Sequence, residues 1–356
     1  MTRHPVPSQM PSCSVSYNPR PTTQLLTRTS ALDRTNCTNS SAGQTTASFS
    51  SRTNSHQLSN HTGPVTYPQF LLLGDSITEF STLSLQAFLS TAYIRRLDVI
   101  NRGLSGYTSV LGLSTLRRLL PLSPSSQHTH IPEIPVATIF FGANDAVLPG
   151  HPQHVPMQQY ISALVDMIHY PAFKAPQQPL NRPTQIILIT PPPINEHQFD
   201  ATGRTLRQAG VTAQYALAVT RLGALQGSDV HVLDLWQLFM TRVGWTSNMG
   251  RDCCSKHIDH SLTSPPTSAH SLSTSDLIPV LQQQQQHIPG CHHFPTAHLP
   301  GSQHSLDDFL VDGLHLNTKG YELLYEELMR IIHERIPHCA PRNMPVVVRD
   351  WKDVLL

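Results

Sequence analysis

The chain has 356 residues, a formal net charge of +1, only 13% charged side chains and 30 prolines. A charge this close to zero gives no electrostatic footing for a nucleic-acid or acidic-membrane partner, and no run of about 18 apolar residues is present to span a bilayer. The length suffices for one or two domains, and Ser, Thr and Pro crowd into two segments, which implies one ordered domain carrying low-complexity material.

Residues 1–66 hold five Arg, no Lys and a single acid, Asp33. They offer too little apolar surface to offset the entropy of ordering, so a disordered extension is expected, with order starting near Tyr67. The opening MTRHPVPSQMPSCS lacks the apolar core of a secretory signal, which points to a cytoplasmic address. The Arg- and Ser-rich, acid-poor composition also fits a mitochondrial transit segment, although no amphipathic helix is evident.

From Tyr67 onward short apolar runs alternate with amphipathic stretches. Phe70–Leu73 ends in Gly74 and reads as a buried strand, followed by helical spacing from Ser84 to Leu97. Leu97–Ile100, Val136–Phe141, Gln185–Thr190 and Val230–Leu235 are the further strands. Val110–Leu120, Met157–His169, Thr205–Leu225 and Lys319–Arg335 are the further helices. This alternation, with strands apolar on both faces, predicts a three-layer α/β/α domain around a five-stranded, mostly parallel sheet. In such sheets ligands bind beyond the carboxyl ends of the strands.

The stretch 247–304 interrupts the pattern with SLTSPPTSAHSLSTSD, a five-Gln tract at 282–286 and a His/Pro-rich run. It is too long for an ordinary connection and reads as a disordered insertion in a domain spanning 67–356. Cysteines 13, 37, 253, 254 and 291 lie in or beside these biased segments, and only Cys339 falls near the expected core, which is no disulfide framework. Cys253, Cys254, His257 and His260, with Cys291 to His293, match no standard zinc spacing, so no metal site is assigned. Trp351 and Val346–Val348 predict a tail that packs back on the domain or on a second subunit, as in a homodimer.

The polar motifs fall at the strand ends. The first strand runs into Gly74-Asp75-Ser76, which alone fits a plain helix cap. More than 200 residues later, Asp312-Gly313-Leu314-His315 places a carboxylate and an imidazole three apart in one turn. Such a carboxylate can hold one ring nitrogen while the other takes a proton from a serine. Gly106 follows the second strand and lets backbone approach a ligand, or only shapes a turn. Asn144 follows the third and offers a side-chain amide, or only caps the next segment.

GDSITE at 74–79, NRGLSGYT at 101–108, GAND at 142–145 and DGLH at 312–315 resemble the four sequence blocks of the SGNH (GDSL) hydrolase superfamily. The resemblance implies a flavodoxin-like sheet, Ser76 as nucleophile, His315 as base and Asp312 as its orienter. It further implies an oxyanion hole of Ser76, Gly106 and Asn144, with Glu79 and Asp145 as supporting residues. The G-x-S-x-G elbow of α/β-hydrolases is absent around Ser76. FLLLGDSITEF, RGLSGYTS, FFGANDA, DGLHLNTKGYELLYEEL and the tail from Arg342 are similar to the fungal isoamyl acetate-hydrolysing esterases, over roughly 67–246 and 306–356. The implied activity is hydrolysis of small esters, acetates of short alcohols first, with water as co-substrate and neither metal nor organic cofactor. Sugar O-acetyl groups, lysophospholipids and a non-catalytic binding role are the alternatives.

Overall fold

The computed structural model describes residues 66–120, 133–175, 181–200, 206–245 and 304–354. The expected N-terminal extension and the 247–304 insertion lie outside the described residues except for Thr66 and His304, as do all cysteines but Cys339 and the Cys/His cluster beginning at Cys253.

Among the described residues five strands, β1 (Gln69–Gly74), β2 (Asp98–Gly103), β3 (Val136–Phe140), β4 (Gln185–Ile189) and β5 (Val230–Leu233), form one sheet in the order β2-β1-β3-β4-β5. Every pairing is parallel, with Gly74 opposite Gly103, Leu73 opposite Ile139 and Ile189 opposite Leu233. Among the described residues the sheet expected to be mostly parallel is wholly so. The helices are α1 (Ser76–Glu79), α2 (Leu85–Ala92), α3 (Ser109–Leu119), α4 (Met157–Ile168), α5 (Pro171–Lys174), α6 (Glu196–Asp200), α7 (Ala209–Ala224), α8 (Leu235–Arg242), α9 (Thr318–Arg335) and α10 (Trp351–Val354).

The pleat of β1 sorts the core into two layers. Phe70 and Leu72 join Leu89 of α2, Phe239 of α8 and Leu324 and Leu328 of α9 on one face. Leu71 and Leu73 join Leu116 of α3, Leu164 of α4 and Leu222 of α7 on the other. Each such side chain contributes about 1.5–3 kcal/mol by leaving water, which is why β1, β3 and β4 are continuous apolar runs. Because β2 and β3 leave β1 on opposite sides, the strand order reverses at β1. The crevice at its carboxyl end is the ordinary ligand position of an open parallel sheet.

Several boundaries differ from the sequence reading. β2 continues to Gly103 because backbone pairing to β1 persists through Asn101 and Arg102, polar side chains that an edge strand tolerates. The run 230–235 divides at Asp234, whose carboxylate accepts from the Gln237 N–H at 3.0 Å and starts α8, a helix the apolar pattern hid. The helix expected from Thr205 begins at Ala209, after an extended Gln208. That expected from Ser84 to Leu97 stops at Ala92, and the chain then turns through Arg95 at φ +63°. The C-terminal tail does pack back: the Val347 N–H donates to the Arg95 carbonyl at 2.8 Å, and Arg95 pairs with Asp350 at 2.9 Å. Among the described residues no helix is long and apolar enough to cross a membrane.

Candidate active site

Ser76 opens α1 directly beyond β1. Its neighbour Asp75 is the N-cap, its carboxylate accepting from the Ile77 N–H at 2.9 Å. Three contacts fix this turn. Tyr321 of α9 donates its hydroxyl to the Ile77 carbonyl at 2.6 Å, and Asn101 of β2 donates to the Thr78 carbonyl at 2.8 Å. The Glu79 carboxylate accepts from the N–H and hydroxyl of Ser105, both at 2.5 Å. The capping role that the sequence allowed for Ser76 thus belongs to Asp75, and the Ser76 hydroxyl is free for another partner.

That partner is His315. Ser76 Oγ lies 2.9 Å from His315 Nε2, and His315 Nδ1 lies 2.8 Å from Asp312 Oδ2. The other carboxylate oxygen of Asp312 accepts from the backbone N–H groups of His315 at 2.8 Å and Leu314 at 3.1 Å. Burial alone would raise the pKa of Asp312, but these bonds from His315 and Leu314 outweigh it and hold the carboxyl below its usual range. An ionised Asp312 accepts a hydrogen bond from Nδ1–H, which keeps the ring proton on Nδ1 and leaves Nε2 bare and facing the serine hydroxyl.

The Asp312–His315 turn is held from α6. The Asn195 N–H donates to the Gly313 carbonyl at 2.9 Å, and Gln198 Nε2 donates to the Val311 carbonyl at 2.8 Å. Gly313 has φ +83°, and a Cβ there would lie 2.5 Å from the Asn195 carbonyl oxygen, so no other residue fits.

On the opposite side, Gly106 turns the β2–α3 loop at φ +78°, and its carbonyl accepts from Gln153 Nε2 at 2.8 Å. Asn144 Nδ2 donates to the Tyr107 carbonyl at 2.9 Å, and the buried Asp145 accepts from the Ser109 N–H at 2.9 Å. These bonds bolt the β3 loop to the Gly106 loop. Ser76 at the start of α1 and Gly106 and Asn144 on the loops after β2 and β3 thus lie at the carboxyl edge of the sheet, and Ser76, Asp312 and His315 are joined by hydrogen bonds.

Arg207 was not foreseen. Its buried guanidinium donates to the Asn144 side-chain oxygen at 2.9 Å and to the Ala143 carbonyl, and it lies 5.9 Å from the centre of the Phe199 ring. By occupying the oxygen it fixes which way the Asn144 amide faces, so that the NH₂ keeps one hydrogen beyond the bond to Tyr107. Asn195 and Gln198 were also missed. All three act across loops from positions with no periodic or motif signal.

Burial is costly for the acids beneath the site. It pushes Asp75 up to about 7, the Ile77 bond and Arg207 only partly opposing, and Asp145 up to about 6. Asp75 Oδ2 is buried without a hydrogen-bond partner among the described residues, consistent with a protonated carboxyl. Unfolded, Asp75 ionises near the ordinary aspartate value of 3.8; folded, it holds its proton to about 7. Between these pH values the folded chain binds more protons, so this group lowers stability as pH rises from about 4 to about 7. Asp75→Asn keeps the acceptor for Ile77 and is expected to gain on the wild type across that window, by on the order of 4 kcal/mol at most. Urea unfolding of both proteins at several pH values checks this; a difference independent of pH would place the extra proton elsewhere.

Among the described residues no three His, Cys, Asp or Glu side chains are grouped to hold a metal ion.

The sequence matches the model of the GDSL-like Lipase/Acylhydrolase family over residues 72–253. A mouse protein named isoamyl acetate-hydrolyzing esterase 1 homolog is 38% identical over 298 residues, covering 81% of this chain and 88% of the relative. The human protein of that name is 30% identical with the same coverage. The isoamyl acetate-hydrolyzing esterase of Saccharomyces cerevisiae is 26% identical, covering 81% of this chain and 96% of the yeast protein. With its parallel sheet and the polar loops along one edge, the chain belongs to the GDSL-like lipase/acylhydrolase family and is a carboxylic ester hydrolase.

Proposed function

We propose that this chain hydrolyses acetate esters of short alcohols, isoamyl acetate among them, through an acyl-enzyme on Ser76. The observation that carries the reading is the hydrogen-bonded series from Ser76 Oγ through the His315 ring to Asp312. The names of the mouse, human and yeast relatives support the choice of ester.

Ser76 attacks the ester carbonyl while His315 Nε2 takes the hydroxyl proton, and Asp312 stabilises the resulting imidazolium. Charge develops on the former carbonyl oxygen, which the N–H groups of Ser76 and Gly106 and the second amide hydrogen of Asn144 receive. His315 returns its proton to the departing alkoxide and releases the alcohol. Water then repeats the sequence on the acyl-enzyme, freeing the acid and restoring Ser76.

A fluorophosphonate probe is expected to label the chain once, at Ser76, located by peptide mass spectrometry. Isoamyl acetate should be turned over faster than acetylated xylose or a lysophospholipid. A label on another residue discards the nucleophile, whereas a label at Ser76 with faster turnover of sugar acetates or lysophospholipid discards the acetate-ester reading alone.

A further inference from the structure

Beside His315 the surface is apolar without a structural reason. The chain leaves α1 through a 3₁₀ turn, Phe80–Leu83. In that geometry residues three apart eclipse one another, so Phe80 and Leu83 stand on one line. Phe80 is 57% exposed and Leu83 92% exposed, so neither contributes much to the core. The Phe80 ring nevertheless lies 5.4 Å from the His315 ring, tilted by 51°. Val311, 64% exposed, belongs to the same turn as His315, its N–H donating to the His315 carbonyl at 2.8 Å.

We infer that the ledge of Phe80 and Leu83 seats the alcohol portion of the ester and selects alcohols with an extended or branched apolar chain. The inference rests on the acyl-transfer reading above. The group that protonates the departing oxygen must lie within hydrogen-bond reach of it, so the alkoxy group leaves on the His315 side. The acyl carbon stays on Ser76 and its oxygen faces the Gly106 and Asn144 loops. Side chains next to His315 therefore meet the alcohol and not the acid. Exposed apolar side chains in such a position gain by being covered, and a fully covered methylene is worth about 0.8 kcal/mol, or roughly fourfold in kcat/KM.

The test uses the full chain and two ester series. One keeps acetate and lengthens the alcohol from methyl through ethyl, propyl and butyl to isoamyl; the other keeps ethanol and lengthens the acid from acetate to hexanoate. In the wild type kcat/KM is expected to rise about two- to fourfold per alcohol methylene. Phe80→Ala and Leu83→Ser are expected to flatten that rise, while the slope of the acid series stays as in the wild type. Both positions are exposed, and melting temperatures check that each variant folds. A uniform fall across all alcohols would make Phe80 a residue that merely orients His315, and a flattened acid series would put the acid on the ledge; either result overturns the assignment and leaves the esterase reading standing. A wild-type chain that turns over no alkyl ester sinks both.

Discussion

Replacing Ser76 by alanine is expected to lower kcat/KM for a short acetate ester by about 10⁴–10⁶, because in the proposed mechanism nucleophile, base and orienter act as one unit. His315→Ala is expected to lose a similar amount, and the double variant little more than either alone. That non-additivity separates a triad from two residues contributing independently. Stability should change far less. Ser76→Ala removes one side-chain hydrogen bond, at 2.9 Å to His315, worth about 0.5–1.5 kcal/mol. Steady-state rates together with thermal melts check both halves. Ser76→Ala with more than a hundredth of wild-type activity would move the nucleophile to another residue, and a collapse in melting temperature would return Ser76 to a structural part.

The second large effect is expected at Arg207. Its guanidinium grips two acceptors on consecutive residues, the Ala143 carbonyl and the Asn144 side-chain oxygen. It is also the cation facing the buried acids, and burial itself lowers its pKa to about 10. Arg207→Met frees the Asn144 amide to turn, and loss of one oxyanion donor typically costs about 10²–10³ in kcat. It also leaves the Ala143 carbonyl and the Asn144 side-chain oxygen without the donor they share, a loss that costs about 1–3 kcal/mol for a buried acceptor. Arg207→Lys supplies one point charge in place of a fork and is expected to recover stability more than kcat. If Arg207→Met keeps wild-type kcat, Asn144 is held by Tyr107 alone or is no donor. Measuring kcat and KM separately decides this, since a positioning defect falls on kcat.

The parts of the site legible in the sequence are those whose chemistry is written locally. Asp312 and His315 are three residues apart, so one turn brings them together wherever that turn sits. Ser76, Gly106 and Asn144 each directly follow a strand or its loop, and a parallel sheet carries all strand ends to the same edge. The illegible parts depend on tertiary geometry. The apolar pattern runs a helix through Arg207, because a buried cation in a polar stretch has no periodicity of its own; its location follows from the carbonyl and amide it meets. Asn195 and Gln198 hold the His315 turn across more than a hundred residues. Fold errors have the same origin. Hydropathy ended β2 at Ile100 because the polar Asn101 and Arg102 conceal backbone pairing, and it ran β5 into α8 because the boundary is a single capping carboxylate, Asp234.

The contact between Ser76 and His315 spans 239 residues of chain. Contacts of such separation form only after the loop-closure entropy has been met, and they tend to come late in folding. Ser76 is presented as soon as β1 and its neighbours assemble, but it does not meet His315 until the segment leading into α9 has docked. Recovery of hydrolysis during refolding therefore counts only molecules that have completed the fold, and it should lag behind any spectroscopic signal from the sheet.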